Sequence, residues 1–183
     1  MRDRFIQYFL DCSRLVPTWL YVGLFLLFFS GTVSLIICKG PDKGIRWSAR
    51  LLLIEYLFLL LSLTVLFRPI LAERVCYLIP SHSCQAFQVG GRRVIETIMN
   101  VVVFIPVGGL LGYSVKSMKW WGVLLFGCGF SLFVETLQFV FKRGFAEFED
   151  VFQNVLGCMI GFGIYVTIVF TVQFFKQASC SPK

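Results

Sequence analysis

Five long apolar stretches dominate the sequence, and each is about as long as a helix must be to cross a lipid bilayer. The first of them, Val16–Cys38, contains no charged residue. A helix needs roughly 17–25 predominantly apolar residues to span the hydrocarbon core of a membrane. The sequence therefore predicts an all-α, polytopic transmembrane bundle of about five helices: Val16–Cys38, Ala49–Phe67, Ile98–Val115, Trp120–Phe141 and Val155–Phe175.

The composition excludes a soluble domain and a disordered chain. Apolar residues make up 57% of the 183 residues and charged residues 15%, and 21 residues are phenylalanine. Soluble domains have about 45–50% apolar and about 25% charged residues, and a small domain leaves too much surface exposed to hide such an excess. The lipid bilayer is therefore the expected partner. Val16–Cys38 is too long for a signal-peptide core and lacks a small-x-small cleavage pattern, so we expect it to be retained.

Charge and residue usage argue against nucleic-acid binding and against metal or cofactor chemistry. The formal net charge is +7, but the basic residues lie between the apolar stretches, where they orient helices. No nucleic-acid partner is therefore predicted. The seven cysteines form no CxxC pair and His82 is the single histidine, so we expect no metal site. The sequence contains no phosphate-cradling loop, and we expect no cofactor.

Basic residues flanking the stretches predict the orientation. The densest short cluster consists of Lys39, Lys43, Arg46 and Arg50. Because such clusters favour the cytoplasmic side, we predict that the first connection lies inside, with the amino end and the Arg68–Arg93 connection outside. In that oxidising space Cys76 and Cys84 either form a disulfide or remain two free thiols, since pairing requires Cα atoms within about 7 Å.

A carboxylate within the fourth stretch needs an explanation. An ionisable residue at the centre of a transmembrane helix costs about 2.5–3.5 kcal/mol on insertion scales. Glu135 lies four residues after Ser131 and three before Gln138, so the three side chains share one face. We predict that this face points into the bundle. Glu135 is then either a buried strut paired with an arginine or a functional carboxylate.

The chain between the fourth and fifth stretches is rich in charge. Lys142 and Arg143 suit the negative end of one helix, and the acidic residues Glu147, Glu149 and Asp150 suit the positive end of the next. Capping does not explain Asn154, which lies four residues after Asp150 on the same face. Gly157 and Gly161 continue that face, and such small residues let another helix approach closely.

The third stretch has a comparable arrangement. Glu96 and Asn100 lie four residues apart and precede FIPVGGLLG. Pro106 removes one helical hydrogen bond, which predicts a kink. Gly108 and the glycines that follow it make this helix thin and easily packed.

In this order, these segments resemble the VanZ-like family of bacterial membrane proteins. The resemblance rests on NVVVFIPVG from Asn100, on ETLQ from Glu135, on Arg143, and on EFED and NVLGCMIG from Glu147 and Asn154. It covers about residues 75–175.

Two positions depart from the family pattern. Glu149 stands where aspartate is expected, which keeps the charge, and Gln153 stands where relatives often carry histidine, which disfavours proton transfer there. The resemblance implies that residues 1–48 add a transmembrane helix and a basic connection to a four-helix VanZ-like domain at 49–183.

The resemblance also implies a location and a site. The protein is expected in the bacterial cytoplasmic membrane as a multi-pass protein. The expected polar site between the third, fourth and fifth helices comprises Asn100, Glu135, Gln138, Arg143, Glu149, Asp150 and Asn154, with Pro106, Gly108, Gly157 and Gly161 in structural roles.

Three functions remain open at this point. The family takes its name from a protein that confers low-level teicoplanin resistance, which implies a non-enzymatic envelope protein that binds a lipid or cell-wall-precursor headgroup, with Arg143 facing an anionic group. The second is a membrane enzyme acting on a lipid-linked substrate, with Glu135 and Asp150 as acid and base. The third is a small proton-coupled transporter that protonates Glu135.

Overall fold

The computed structural model describes residues 16–73, 76–77 and 92–179, and five long helices make up most of it. A π-helical segment, Ser62–Leu66, extends the second helix. All five helices are long and apolar enough to cross a membrane, which confirms the predicted all-α transmembrane bundle. The helices are α1 (Thr18–Lys39), α2 (Pro41–Leu61), α3 (Arg92–Ser114), α4 (Trp120–Phe141) and α5 (Phe148–Ser179).

The polar ends of three helices extend beyond the predicted stretches, and one of them is α3, which begins at Arg92 rather than Ile98. α2 begins at Pro41 rather than Ala49, because Gly40 turns the chain with φ at 76° and a proline fits the first helical turn. α5 begins at Phe148 rather than Val155, and carboxylates occupy its first turn, where the helix dipole favours negative charge. Hydropathy locates the apolar middle of a helix and misses its charged ends.

The buried core lies between α2, α3, α4 and α5. Leu60 of α2, Phe104 and Val107 of α3, Val123 of α4 and Cys158 of α5 belong to one buried apolar cluster. α1 packs on α2 and has no buried residue. It is therefore a peripheral helix beside a four-helix bundle.

Backbone contact at glycines holds α3 against α5. A Cβ atom added to Gly108 would collide with the carbonyl oxygen of Cys158. A Cβ at Gly157 would collide with the carbonyl oxygen of Val101, and one at Gly161 would collide with that of Ile105. α3 continues as a helix through Pro106. The two helices are therefore closer than side chains on both would allow.

The long connection between α2 and α3 returns to the corner between α4 and α5. β1 (Cys76–Tyr77) pairs in parallel with β2 (Ala146–Glu147), and the backbone N–H of Leu71 donates to the carbonyl of Lys142 at 2.7 Å. Cys76 is exposed, and the described residues contain no disulfide. Cys84 and His82 lie outside the described residues, so the Cys76–Cys84 pairing stays a prediction.

Replacing Gly157 by alanine should destabilise the protein, because the new methyl group meets the α3 backbone. Overpacking of this kind costs about 1–3 kcal/mol, which we expect to appear as a lower melting temperature in detergent. Gly163→Ala on the same helix is the matched control, since nothing lies within 4 Å of a Cβ there. Equal melting temperatures for the two variants would contradict the close α3–α5 contact.

Cysteine labelling on intact cells tests the predicted orientation. In a protein whose only cysteine is the exposed Cys76, a membrane-impermeant maleimide should react from outside. A protein whose only cysteine replaces Lys43 should react after the cells are opened and not before, because the basic first connection favours the cytoplasm. The opposite labelling pattern would invert the topology.

Candidate functional site

Polar side chains from three helices and from the chain after α2 meet at the end of the bundle opposite the α1–α2 turn. Three of them are buried: Glu135 is 8% exposed, Gln138 4% and Asn154 5%. We define the polar site as six residues that contact or interact with one another or with the helices around them. They are Arg68, Asn100, Glu135, Gln138, Asp150 and Asn154.

The sequence period explains why these side chains face inward. On α4, Ser131, Glu135 and Gln138 are all buried, while Leu132 and Phe139 beside them are exposed. Residues three and four apart share a helix face, so α4 presents its polar stripe to the bundle and its apolar side chains to lipid.

Glu135 connects α4 to the strand that precedes α5. Its Oε2 accepts a hydrogen bond from the backbone N–H of Glu147 at 2.9 Å. The carboxylates of Asp150 and Glu147 and the guanidinium of Arg68 all interact electrostatically with it. The carboxylates of Glu135, Glu147 and Asp150 therefore share one region with the guanidinium of Arg68.

Asn100 connects α3 to the first turns of α5. Its side chain hydrogen-bonds the Asp150 carboxylate, and its Nδ2 donates to Oε1 of Gln153 at 3.0 Å. Nε2 of Gln153 in turn donates to Oγ1 of Thr97 at 3.3 Å. Gln153 thus links the two helices, and these polar contacts lie directly beyond the glycine contacts.

Two buried amide groups use their N–H donors and keep a free acceptor. Asn154 donates from Nδ2 to Oγ of Ser131 at 2.8 Å, and Gln138 donates from Nε2 to the carbonyl of Thr64 at 3.1 Å. Oδ1 of Asn154 and Oε1 of Gln138 are buried and accept no hydrogen bond from the described residues. A buried unsatisfied acceptor costs about 1–3 kcal/mol, so a bound molecule with donors would gain from meeting these oxygens.

Arg143, a residue of the expected polar site, hydrogen-bonds the end of α2. Its Nη1 donates to the carbonyls of Val65 and Arg68 at 3.3 and 3.2 Å, and also to that of Leu66. Lys142 ends α4 in a left-handed conformation with φ at 56°. That turn directs Arg143 to the π-helical end of α2, whose wider hydrogen bonding leaves carbonyls available.

Arg68 is the site residue that sequence reasoning missed. It interacts electrostatically with both Glu135 and Asp150. Its guanidinium lies against Gly144, where an added Cβ would come within 2.6 Å of Nη1. In the sequence, Arg68 lies directly after the second apolar stretch and before Pro69. This position is typical of a basic residue that flanks a membrane helix, and it gave no indication of a site residue.

Glu149 lies half-buried in the first turn of α5. Among the described residues, no group of three or more His, Cys, Asp or Glu side chains is placed to hold a metal ion. The chemistry available at the polar site is therefore that of carboxylates, amides and one guanidinium.

Comparison with known proteins identifies the family of this chain. A family model described as VanZ/LLP1 matches residues 53–171, which include every residue of the polar site. Protein VanZ of Enterococcus faecium is 36% identical over 70 residues, which cover 38% of this chain and 44% of that protein. No solved structure matches the chain. Because the family model covers more than half of its length, this multi-pass membrane protein belongs to the VanZ/LLP1 family.

Proposed function

We propose that this protein lowers susceptibility to teicoplanin and related lipoglycopeptides by binding a lipid or cell-wall-precursor headgroup at the polar site. Family membership supports the link to this kind of resistance. The proposed location is the bacterial cytoplasmic membrane, with the polar site at the outer face. There the site would meet the same surface that a lipoglycopeptide must reach.

The two buried amide oxygens without donors carry the proposal. Oε1 of Gln138 and Oδ1 of Asn154 lie on α4 and α5 beside the carboxylates of Glu135 and Asp150. Acceptors outnumber donors here, which suits a ligand that offers hydroxyl, amide N–H or ammonium groups. Sugar and peptide headgroups offer such donors, and Arg68 supplies one cation for a phosphate.

The residues outside the family match have a different proposed role. The match begins at residue 53, and α1 contributes no residue to the polar site. We propose that residues 1–48 are an addition to the four-helix domain at 49–183, which carries the function.

The pair of carboxylates favours an enzyme as the second candidate. Glu135 and Asp150 interact with each other in a largely buried region, and one carboxylate of such a pair can hold a proton while the other accepts one. Incubating membranes that contain the protein with a lipid-linked precursor tests this function. A product that disappears in both Glu135→Gln and Asp150→Asn would favour catalysis over binding. Transport coupled to protonation of Glu135 is the third candidate, and proton uptake by proteoliposomes tests it.

Glu135→Gln should abolish protection against teicoplanin while the melting temperature in detergent stays near that of the wild type. The glutamine keeps an oxygen that can accept the hydrogen bond from Glu147 and removes only the charge. Thr136→Val is the matched control, because Thr136 is exposed and its hydroxyl bonds its own helix at Leu132. If Glu135 is only a strut, breaking the buried cluster costs about 3–5 kcal/mol, and protection should fall in proportion to stability.

Variants of Arg68 and Arg143 should have different effects on stability and on function. Arg143→Gln removes a guanidinium bonded to three carbonyls, and hydrogen bonds to charged groups contribute about 1.5–3 kcal/mol each. We expect this variant to melt early. Arg68→Gln should retain more of its stability and lose protection in a cell-based susceptibility assay. The reverse pattern would return Arg143 to the binding role expected from the sequence.

A further inference from the structure

The end of the bundle opposite the polar site is strongly basic. Asp42 is the one acidic residue between Thr18 and Ile54, and no acidic residue occurs between Thr97 and Val134. We define the basic face by the cations of the α1–α2 turn, of α2 and of the α3–α4 connection. They are Lys39, Lys43, Arg46, Arg50, Lys116 and Lys119.

One tryptophan brings two of these cations together. Nζ of Lys39 lies 3.6 Å from the centroid of the Trp47 ring, and Cζ of Arg50 lies 4.4 Å from it. Nε of Arg50 also donates to the carbonyl of Ser114 at 3.1 Å, where α3 ends. The described partners of both cations are therefore an aromatic ring and a backbone carbonyl, which hold the charges in place without neutralising them.

The α3–α4 connection is set back from the ends of the neighbouring helices. Ser114 is level with Arg50 of α2, and the ring of Tyr113 contacts that of Tyr165 on α5 at 6.4 Å. From Arg50, α2 continues for nine residues to Pro41, which is about 14 Å at a rise of 1.5 Å per residue. From Tyr165, α5 continues to Ser179, which is about 21 Å at the same rise. The basic face and the end of α5 therefore flank a recess above the connection.

The part of α5 from Val166 to Phe175 buries no side chain against the described residues, and its side chains are apolar apart from Thr167, Thr171 and Gln173. No residue from Val166 to Gln177 is buried. A mostly apolar helix segment without a buried side is expected to lie in hydrocarbon, so we expect acyl chains to cover this part of α5. Its exposed side chains include Val166, Ile168, Phe170, Val172, Phe174 and Phe175.

We propose that the basic face binds the headgroup of an anionic phospholipid whose acyl chains lie along the end of α5. Such a lipid offers a phosphate to Lys43, Arg46 and Arg50 and hydrocarbon to the apolar helix beside them. A nucleic acid or an acidic peptide would meet the cations but not the apolar wall. Basic pockets between transmembrane helices bind anionic headgroups for the same reason. This site is separate from the polar site and does not depend on its function.

Trp47 is itself a reporter of the bound lipid. We would replace Trp19, Trp120 and Trp121 by phenylalanine in the full chain, reconstitute it in phosphatidylcholine vesicles, and add brominated phosphatidylglycerol or brominated phosphatidylcholine. Bromine quenches tryptophan fluorescence on contact. We expect the phosphatidylglycerol to quench Trp47 at several-fold lower mole fraction than the phosphatidylcholine, and we expect high salt to reduce the difference.

Lys43→Gln with Arg46→Gln should remove the several-fold preference, since each cation near an anionic headgroup contributes up to about fivefold in affinity. These two residues are exposed, and the described cation–π partners of the Trp47 ring are Lys39 and Arg50 instead, so both partners of the reporter ring remain. Lys43→Arg with Arg46→Lys should keep the preference, and so should Lys142→Gln at the other end of the bundle. Equal quenching by the two lipids, or a preference that survives the double glutamine variant, would overturn the proposal.

Discussion

The backbone contact between α3 and α5 is the constraint on which the rest of the structure depends. Carbonyl oxygens of one helix occupy the space that a Cβ of the other would need, at Gly108, Gly157 and Gly161. Van der Waals packing of this kind replaces the hydrophobic driving force that lipid removes. It also determines where Asn100 meets Asp150, because the polar residues lie one to two turns beyond the glycines on the same helix faces. The α3–α5 contact therefore positions the part of the polar site that these two helices supply.

The number of helices follows directly from the sequence, while their ends do not. Five apolar stretches predict five helices because a membrane selects for length and hydropathy, and α4 has the predicted bounds. The first turns of α2 and α5 carry charges, so hydropathy assigns them to connections although glycine, proline and carboxylates there favour helix starts. Local capping chemistry, rather than hydropathy, determines these ends.

The polar site, too, is only partly predictable from the sequence. Spacing along a helix predicts that Glu135 and Gln138 share an inward face and that Asp150 and Asn154 share another, and both pairs lie together in the structure. The roles of the two arginines depend instead on the path of the chain after each helix. A left-handed Lys142 turns Arg143 away from Glu135, and the π-helical end of α2 brings Arg68 to the carboxylates. Neither turn has a signal in hydropathy or in helical spacing.

The π-helical end of α2 makes that helix part of the site and leaves α1 outside it. Gln138 and Arg143 both donate to carbonyls between Thr64 and Arg68, so residues some seventy positions apart fix where Arg68 lies. The family match begins at residue 53, within α2, and continues to residue 171. The match thus contains Arg68 together with Gln138 and Arg143, which position it. Among the described residues, Arg68 is the only arginine that interacts with both Glu135 and Asp150. The match contains no part of α1, the helix that packs outside the bundle.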